Sequence, residues 1–449
     1  MTTQPGLIAA VLFLGHACAL GQQTDSTAQR TINLHQAVEL ALKHKHMVRI
    51  AGFKVEENQH AKEVARSAYF PVVKNDSMFL HVTDTQFIEI PAGGLGVVGS
   101  NPIPARPLLL NQGAHTFETS GTGIVQPLTQ LLKIRAGNDV ARAELEETRG
   151  KARGIENEVA LTVHQLYYKI LIAELRRSAI QARIQASEDL QSERVQQVKY
   201  GSALDADLIE SRAQSLQAKQ ELLSTELQLS DLRMQFNDVV GLPLARTVML
   251  DPSVPDAPDS CAKEECTKLA LASHPEVAEA RATVEKAASA VRLAKYEYIP
   301  DVEALARYSY SNDVPFLARN FGTFGIHLSY ELFDGGKKRA TLRERDAQLA
   351  QAKENLARIS DEVELRVETA YNKLDRTRQM VAVSEELLSL RKESGRVAAE
   401  QLVNGTVLRS QAEGAVAQEL EAKTLLLQSR LDYVQARDEL IEATGQAPQ

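Results

Sequence analysis

The chain has 449 residues, of which 44 % are hydrophobic and 24 % are charged, and its formal net charge is −8. This composition is typical of a folded protein. A mildly acidic chain is unsuited to nucleic acid as its main partner, so no nucleic acid is expected. With no Trp and an aromatic content of 5 %, a large aromatic core is not expected either.

The N-terminus carries a short apolar segment, residues 7–14, followed by the small-residue sequence Ala17-Cys18-Ala19. This pattern predicts a secretory signal peptide over residues 1–21, although no Lys or Arg precedes the apolar segment. Lipid attachment at Cys18 is the alternative. No later segment reaches the roughly 18 apolar residues that a membrane-spanning helix needs. The protein is therefore predicted to be exported and to lack a transmembrane helix.

The rest of the sequence is an internal duplication. With an offset of 229, twelve of the 34 positions in 40–73 are identical in the second copy. With an offset of 204, thirteen of the 43 positions in 128–170 are identical. The fall in the offset from 229 to 204 indicates a 25-residue insertion in the first copy, and the Gly- and Pro-rich segment 91–107 is predicted to be its flexible loop. The predicted divisions are repeat 1 (31–241), an inter-repeat linker (242–263) and repeat 2 (264–445).

Each repeat is predicted to begin with one helix of about 30 residues, over 34–68 and 264–297. Each helix ends at a Tyr-x-Pro sequence, where proline blocks its continuation. Two segments with alternating polarity follow in each repeat and predict strands with two different faces. These four segments are 72–83, 116–127, 301–311 and 321–333.

Long proline-free segments complete each repeat. Apolar residues recur every seven positions, as in Leu145, Ala152, Val159 and Leu166, which is the pattern of a coiled coil. Each segment contains a single glycine turn, so each repeat is predicted to form a helical hairpin. The predicted turns are Tyr200-Gly201-Ser202 and Asn404-Gly405-Thr406. An arm of about 65 residues at about 1.5 Å per residue is about 100 Å long.

The alternating strands fit two kinds of sheet. Strands with one apolar face in an exported chain suggest an outer-membrane β-barrel, whereas a soluble sheet with one buried face is the alternative. Four strands cannot close a single-chain barrel, and an open sheet in lipid leaves unpaired edges. Insertion in a membrane would therefore require several copies of the chain.

The sequence resembles the TolC family of outer-membrane efflux and secretion channels over residues 31–445. The resemblance rests on the duplication, the two Tyr-x-Pro sequences, the two glycine turns and the strand-to-helix turn Asp334-Gly335-Gly336, which follows Leu332-Phe333. Repeat 1 departs from the family at the last of these, where it has Thr129-Gln130-Leu131-Leu132.

The resemblance implies a mostly helical α+β fold and a homotrimer. Three chains would form a twelve-stranded barrel in outer-membrane lipid and a twelve-helix tunnel in the periplasm, with the shorter helices and the linker as a belt. It also implies passive export, with energy supplied by an inner-membrane pump joined through a periplasmic adaptor. No enzyme signature, cofactor site or metal site is expected.

The hairpin tips are the candidate functional sites, because members of the family bind adaptor hairpins there and narrow the tunnel with acidic side chains. The candidate docking residues are Tyr200, Gly201, Leu204, Asn404, Gly405 and Leu408. The candidate constriction residues are Asp205, Asp207, Glu210 and Arg409. The acids could form rings that favour cations, or they could only complement the dipole of their helix. Arg409 aligns with Asp205 and is predicted to pair with Asp205 or Asp207 of a neighbouring hairpin.

Cys261 and Cys266 could form a local disulfide in an oxidising compartment, whereas two thiols alone do not suit zinc. The alternative function is that of a periplasmic coiled-coil adaptor or scaffold without a pore. Tandem hairpins are unusual for an adaptor, and a scaffold explains neither the four strands nor the export signal.

Overall fold

The computed structural model describes residues 31–84, 87–111, 115–253, 261–314 and 317–447. The predicted signal peptide, including Cys18, lies outside the described residues. Among the described helices, none combines the length and the apolar character needed to cross a membrane.

The short helices at the start of each repeat are broken, so the prediction of a single helix was wrong. They are α1 (Leu34–His44), α2 (His46–Ser67), α5 (Lys263–Ser273) and α6 (Pro275–Tyr296). The break at His274 has a local cause, because the ring of Pro275 disfavours helical backbone in the preceding residue. His274 is accordingly extended, with ψ of 130°. Lys45 has almost the same conformation, with ψ of 123°, but no proline follows it.

A four-stranded antiparallel sheet joins the two repeats in the order β10-β9-β7-β2. Its strands are β2 (Val72–His81), β7 (Thr116–Pro127), β9 (Asp301–Asn312) and β10 (Asn320–Ser329). The predicted strand 321–333 was too long, because the chain leaves the sheet after Ser329 and turns toward the next helix. Strands β2 and β10 each have one neighbour and therefore present an unpaired edge.

The inserted segment contains strands, which the sequence did not predict. Strand β3 (Phe87–Ile90) pairs with β6 (Leu108–Asn111), and β4 (Val97–Val98) pairs with β5 (Asn101–Pro102). Both pairs are antiparallel, so the glycines and prolines of this segment lie in two nested turns rather than in one structureless loop.

The two repeats contribute differently to one face of the sheet. On β10 this face carries Phe324, Ile326 and Leu328, which are 91 %, 74 % and 64 % exposed. On β2 and β7 the same face carries the exposed apolar side chains of Val73, Phe79 and Ile124. It also carries small polar side chains that bond to one another. The amide of Asn75 donates to the Thr122 hydroxyl at 2.8 Å, and the Ser77 and Ser120 hydroxyls lie 2.8 Å apart.

An arginine crosses the opposite face. Arg307 on β9 reaches across β7 to Asp76 on β2, with 3.6 Å between guanidinium and carboxylate. Its guanidinium lies directly over Gly121, where a Cβ atom would overlap with it. A side chain at position 121 would therefore make the guanidinium move from this path.

Four long helices form the arms. They are α3 (Leu131–Lys199), α4 (Asp205–Val240), α7 (Lys337–Val403) and α8 (Arg409–Ala443). Near the sheet α3 packs against α2 and α6, and α6 also packs against α7. Toward the tips α3 packs against α4 and α8, and α8 also packs against α7. Of the predicted heptad positions, Leu145, Val159 and Leu166 are buried.

Two apolar cores lie at the level of α1 and α5. One packs α1 and the short parallel pair β1 (Thr31–Ile32) and β8 (Met249–Leu250) against α3 and α4. The other packs α5 against α7 and α8. In the first, the ring of Tyr167 meets that of Phe236 at 6.3 Å, and its hydroxyl donates to the Asp251 carbonyl at 2.7 Å.

A buried carboxylate joins the two repeats between these cores. Asp438 on α8 lies 2.6 Å from His164 Nδ1 on α3 and accepts a hydrogen bond from the Tyr168 hydroxyl at 3.0 Å. The guanidinium of Arg437 donates to its other oxygen at 2.9 Å. Burial, followed by the charge of Asp438, raises the pKa of Tyr168, so this phenol remains a donor.

Helices α4 and α8 end against the breaks in the short helices. The terminal residues Gly241 and Gly445 have left-handed backbone, with φ of 79° and 86°. A Cβ atom on Gly241 would lie 2.6 Å from Cβ of His44, and one on Gly445 would lie 2.5 Å from Cα of His274. The end of α4 therefore lies against the break between α1 and α2, and the end of α8 lies against the break between α5 and α6.

We predict that Gly241→Ala and Gly445→Ala each destabilise the protein. Left-handed backbone costs a residue with a side chain about 1–3 kcal/mol, and the close contacts add to this cost. Gly137→Ala is the matched control, because a Cβ there meets nothing within 4 Å and Ala favours a helix. Thermal unfolding should show lower midpoints for the first two variants only. Midpoints equal to that of the control would contradict the close approach.

Candidate functional site

The two hairpin tips have the same backbone structure. Helix α3 ends in a turn in which Ser202 N–H donates to Gln197 O at 2.8 Å and Gly201 N–H donates to Val198 O at 3.0 Å. This pair of bonds is a Schellman motif, which places a left-handed residue after the helix. Gly201 is that residue, with φ of 68°. Gly405 ends α7 in the same way, with φ of 69°.

Exposed apolar side chains mark both tips. Tyr200 and Leu204 are 79 % and 71 % exposed, and Leu408 is 51 % exposed. The candidate docking residues of the two repeats therefore occupy equivalent places in the two turns. Asn404 ends α7 with helical backbone, so its amide stands at the turn as Tyr200 does in repeat 1.

Asp207 caps its own helix. Its carboxylate accepts a hydrogen bond from the backbone N–H of Leu204 at 3.1 Å. Gln411 does the same for Leu408 in repeat 2, at 3.3 Å. A side chain three residues into the helix that reaches back in this way satisfies an unpaired backbone donor. The capping function of Asp207 can thus be performed without a charge.

The other two candidate acids extend from the start of α4. Glu210 is exposed and accepts a hydrogen bond from the side chain of Gln214 at 3.0 Å. Asp205 is exposed at the first position of α4, where its charge complements the helix dipole.

Arg409 has partners that the sequence did not predict. Within the chain, its Nε donates to Glu413 at 2.6 Å, one turn along α8, rather than to Asp205 or Asp207. The pKa of the Arg409 guanidinium is raised first by Glu413 and further by Asp189 and Glu193 of α3. The ionic surroundings of Arg409 thus come from α8 and α3.

Glu193 connects the two hairpins. Its Oε1 accepts a hydrogen bond from the backbone N–H of Ser410 at 3.0 Å, so the end of α3 caps the start of α8. A carboxylate at a helix N-terminus is favoured by the helix dipole. In the described part of the chain, the second oxygens of Glu193 and Glu413 are buried without a hydrogen-bond partner. No local motif marks Glu193, because its partner lies 217 residues away.

A groove of about 300 Å³ runs between α3 and α8 just behind the tip. Small and apolar side chains line its floor: Ala182, Ala186, Val416, Ala417 and Leu420. Gln185, Asp189 and Glu413 also line it and make it acidic. The groove therefore offers an apolar floor with carboxylates to a helical partner.

The strand-to-helix turn of repeat 2 is held by one side chain. Asp334 accepts hydrogen bonds from the backbone N–H groups of Gly336 and Lys338, both at 2.9 Å. These backbone donors lower the pKa of the Asp334 carboxyl. Gly335 and Gly336 supply left-handed backbone, with φ of 66° and 89°.

Repeat 1 holds its corresponding turn differently. The hydroxyl of Thr129 donates to the Pro300 carbonyl at 2.7 Å and accepts from Val302 N–H at 2.8 Å, which joins this turn to the start of β9. The two turns thus reach similar places in the fold with different hydrogen bonds.

The structure places a disulfide between Cys261 and Cys266, whose Cα atoms lie 5.6 Å apart. Cys266 is fully buried in the core beneath α5. This bond fixes the linker where it enters repeat 2. Within the described ranges, no group of three or more His, Cys, Asp and Glu side chains is arranged to hold a metal ion.

Charged groups line the space between the end of α8 and the start of α6. They surround a cavity of about 570 Å³ and comprise Lys151, Glu158, His274, Glu276, Glu279, Arg366 and Glu442. Arg366 contacts Glu276 with both nitrogens at 3.2 Å. Burial raises the pKa of Glu442, Arg366 opposes this rise, and Glu276 and Glu158 add to it. Burial also raises the pKa of Glu279.

Comparison with known proteins identifies the fold. Residues 267–446 match the family model described as "Outer membrane efflux protein". No curated protein matches the chain in sequence. A membrane protein from Pseudomonas aeruginosa has a similar structure, with TM-score 0.74, 16 % identity, and coverage of 92 % of this chain and 90 % of that one.

Two further solved structures have the same fold. The CmeC outer membrane channel of Campylobacter jejuni gives TM-score 0.74 at 11 % identity, over 98 % of this chain and 94 % of that one. The outer membrane protein VceC of Vibrio cholerae gives 0.71 at 16 % identity, over 93 % and 97 %. These matches confirm the predicted resemblance and the mostly helical α+β fold.

We predict that Glu442→Gln stabilises the protein at neutral pH. The pKa of Glu442 is raised in the folded state, so its contribution to stability is greatest below its unfolded value and is lost as pH rises through the folded pKa. Gln removes that loss, so the unfolding midpoint should exceed that of wild type at pH 7.5 and approach it near pH 4. Glu354→Gln, at an exposed position on α7, is the control. An unchanged or lower midpoint at pH 7.5 would contradict the effect of burial.

Proposed function

We propose that this chain, whose residues 267–446 match the family model "Outer membrane efflux protein", belongs to that family and is one subunit of a trimeric outer-membrane channel. The channel would serve a tripartite efflux pump or a type I secretion system as a passive conduit. The observation that carries this proposal is an open four-stranded sheet at one end of helical arms about 100 Å long.

The unpaired edges of the sheet support a closed assembly. Strands β2 and β10 each expose ten residues of backbone on one side. Such edges are not tolerated in lipid, where every backbone donor and acceptor needs a partner. Pairing of β10 with β2 of the next copy would remove all edges. Three copies of four strands would give twelve strands.

The exposed faces of the strands fit this arrangement. The apolar side chains of β10 would meet lipid hydrocarbon, with Phe324 as the most exposed of them. The polar side chains on the same face of β2 and β7 satisfy one another, which lowers the cost of placing them in lipid.

The arms would then form a tunnel that ends at the hairpin tips. Threefold repetition would bring Asp205, Asp207 and Glu210 close to a common axis, where acidic rings favour cations. Because Asp207 is engaged with the backbone of Leu204, Asp205 and Glu210 would supply most of the selectivity. Glu193 and Arg409 would hold α8 against α3 and keep the tip narrow.

The groove between α3 and α8 is the proposed docking place for a periplasmic adaptor that leads to an inner-membrane pump. A helical hairpin with small or apolar side chains on one face and basic residues at its edge would complement the floor and its carboxylates. The exposed Tyr200, Leu204 and Leu408 would extend this surface to the end of the arm.

We predict that the protein purified in detergent forms small, cation-selective conductance steps in a planar bilayer under a salt gradient. Arg409→Glu should raise the conductance several-fold, because a carboxylate there would face Asp189, Glu193 and Glu413 and push the hairpins apart. Arg391→Glu is the matched control, because the described partner of Arg391 is the amide of Gln418. Equal conductance for both variants would reject the proposed role of Arg409 in holding α8 against α3. Absence of steps in wild type would reject the pore and favour the scaffold.

We predict that a photo-activated cross-linking residue at Ala186 captures the adaptor in intact cells. Ala186 lies on the floor of the groove, whereas Ala213 on α4 is exposed outside it and provides the control position. Mass spectrometry should identify a coiled-coil hairpin protein cross-linked at position 186 and not at position 213. Identical products at both positions would contradict docking in the groove.

A further inference from the structure

A cleft unrelated to the tips lies between α3, α4 and the chain that follows α4. Its volume is about 430 Å³, which is within the range of small-molecule sites. Three arginines from three different segments line it: Arg177 on α3, Arg233 on α4 and Arg246 in the linker. Glu226 is the acid in the lining, and Met234 and Leu244 supply exposed apolar surface.

The linker wall of the cleft is rigid. Asn237 on α4 is 1 % exposed, and its amide donates to the carbonyls of Leu244 and Arg246 at 3.0 and 2.8 Å. The backbone N–H of Arg246 also donates to the Pro243 carbonyl at 2.9 Å. Arg246 therefore extends from a segment with a fixed backbone, as Arg177 and Arg233 extend from helices.

The positive charge of the cleft is only partly neutralised by the surrounding protein. Glu174 accepts one hydrogen bond from Arg233 at 2.7 Å. Within the residues that the structure describes, Arg177 and Arg246 have no carboxylate within 4.0 Å. The Nε atoms of Arg177 and Arg233 are both buried, and neither has a hydrogen-bond partner in the described part. Because these Nε atoms are enclosed by protein, a ligand in the cleft would bind the terminal nitrogens of the guanidinium groups, which suit a ligand that supplies charged acceptors.

We propose that this cleft binds a small organic oxyanion, a phosphate monoester or a carboxylate. Guanidinium groups bind both through paired, charge-assisted hydrogen bonds. The volume exceeds that of a bare phosphate ion, and Met234 and Leu244 offer contact to an apolar portion of the ligand. The site does not depend on the proposed channel function, because it is formed by residues of one chain away from the tips.

Isothermal titration of the purified full-length protein with butyl phosphate tests the proposal. One molecule should bind per chain, with an affinity that falls as salt is added. Arg177→Gln and Arg246→Gln should each weaken binding at least tenfold. Arg212→Gln, at an exposed position on α4 outside the cleft, should bind as wild type does. A titration with butyrate shows whether the site prefers a phosphate or a carboxylate group. A titration with butanol shows how much of the affinity comes from the apolar portion without a charge.

Two results would overturn the proposal. One is the absence of saturable binding of butyl phosphate and butyrate to wild type, which would also result if a neighbouring copy filled the cleft. The other is unchanged affinity in both arginine variants. Unfolding midpoints measured without ligand show whether each variant folds. If one of the two arginine variants does not fold, the affinity of the other one tests the proposal.

Discussion

The architecture depends on the close approach of two glycines to two helix breaks. Gly241 and Gly445 leave no room for a side chain against His44 and His274. Because the chain can pass this closely, α4 ends against the break between α1 and α2, and α8 ends against the break between α5 and α6. Helices α2 and α4 both pack against the uninterrupted α3, and α6 and α8 both pack against the uninterrupted α7.

Polar groups are buried between α3 and α8. Beside the junctions, α3 and α8 pack closely enough for Asp438 to bond with His164 and Tyr168. A buried carboxylate with three hydrogen-bonding neighbours holds one relative position of the two helices, because any slip would leave charge unpaired. The two hairpins are therefore held in one relative position near the cores. At the tips, one of the described contacts between α3 and α8 is the hydrogen bond from the backbone N–H of Ser410 to Glu193.

Much of the fold was predictable from local chemistry. The Tyr-x-Pro sequences, the alternation from Val302 to Tyr310 and the glycines at 201 and 405 gave helix ends, strands and turns within a few residues of those found. Each of these signals acts through the backbone of its own residue or its neighbour. The break at Lys45 was missed because no proline follows it, whereas the break at His274 was missed although Pro275 follows it. Strand β10 was extended too far because Tyr330, Leu332 and Phe333 are apolar although they lie beyond the last ladder bond.

The candidate site was predictable to a smaller degree, for the same reason. The acids at 205, 207 and 210 follow a visible turn, so their position at the tip could be inferred. Glu193 and Asp189 are ordinary charged residues of a long helix, and their importance comes from α8, which the chain reaches two hundred residues later. The capping role of Asp207 became evident only from the equivalent bond of Gln411. Alignment of the repeats showed that Gln411 replaces Asp207 in repeat 2, but it did not show that the hydrogen bond to the backbone of the preceding turn is kept.

The path of Arg307 over Gly121 to Asp76 links positions in different copies of the duplicated sequence. After duplication, two copies usually accumulate substitutions independently. At this place substitutions in the two copies are coupled, since a side chain at 121 would displace the guanidinium of Arg307, and a loss of Arg307 would leave Asp76 without this partner. Arg307 and Asp76 are therefore expected to be kept together or replaced together, so that substitutions in the two halves of the sheet are coupled at these positions.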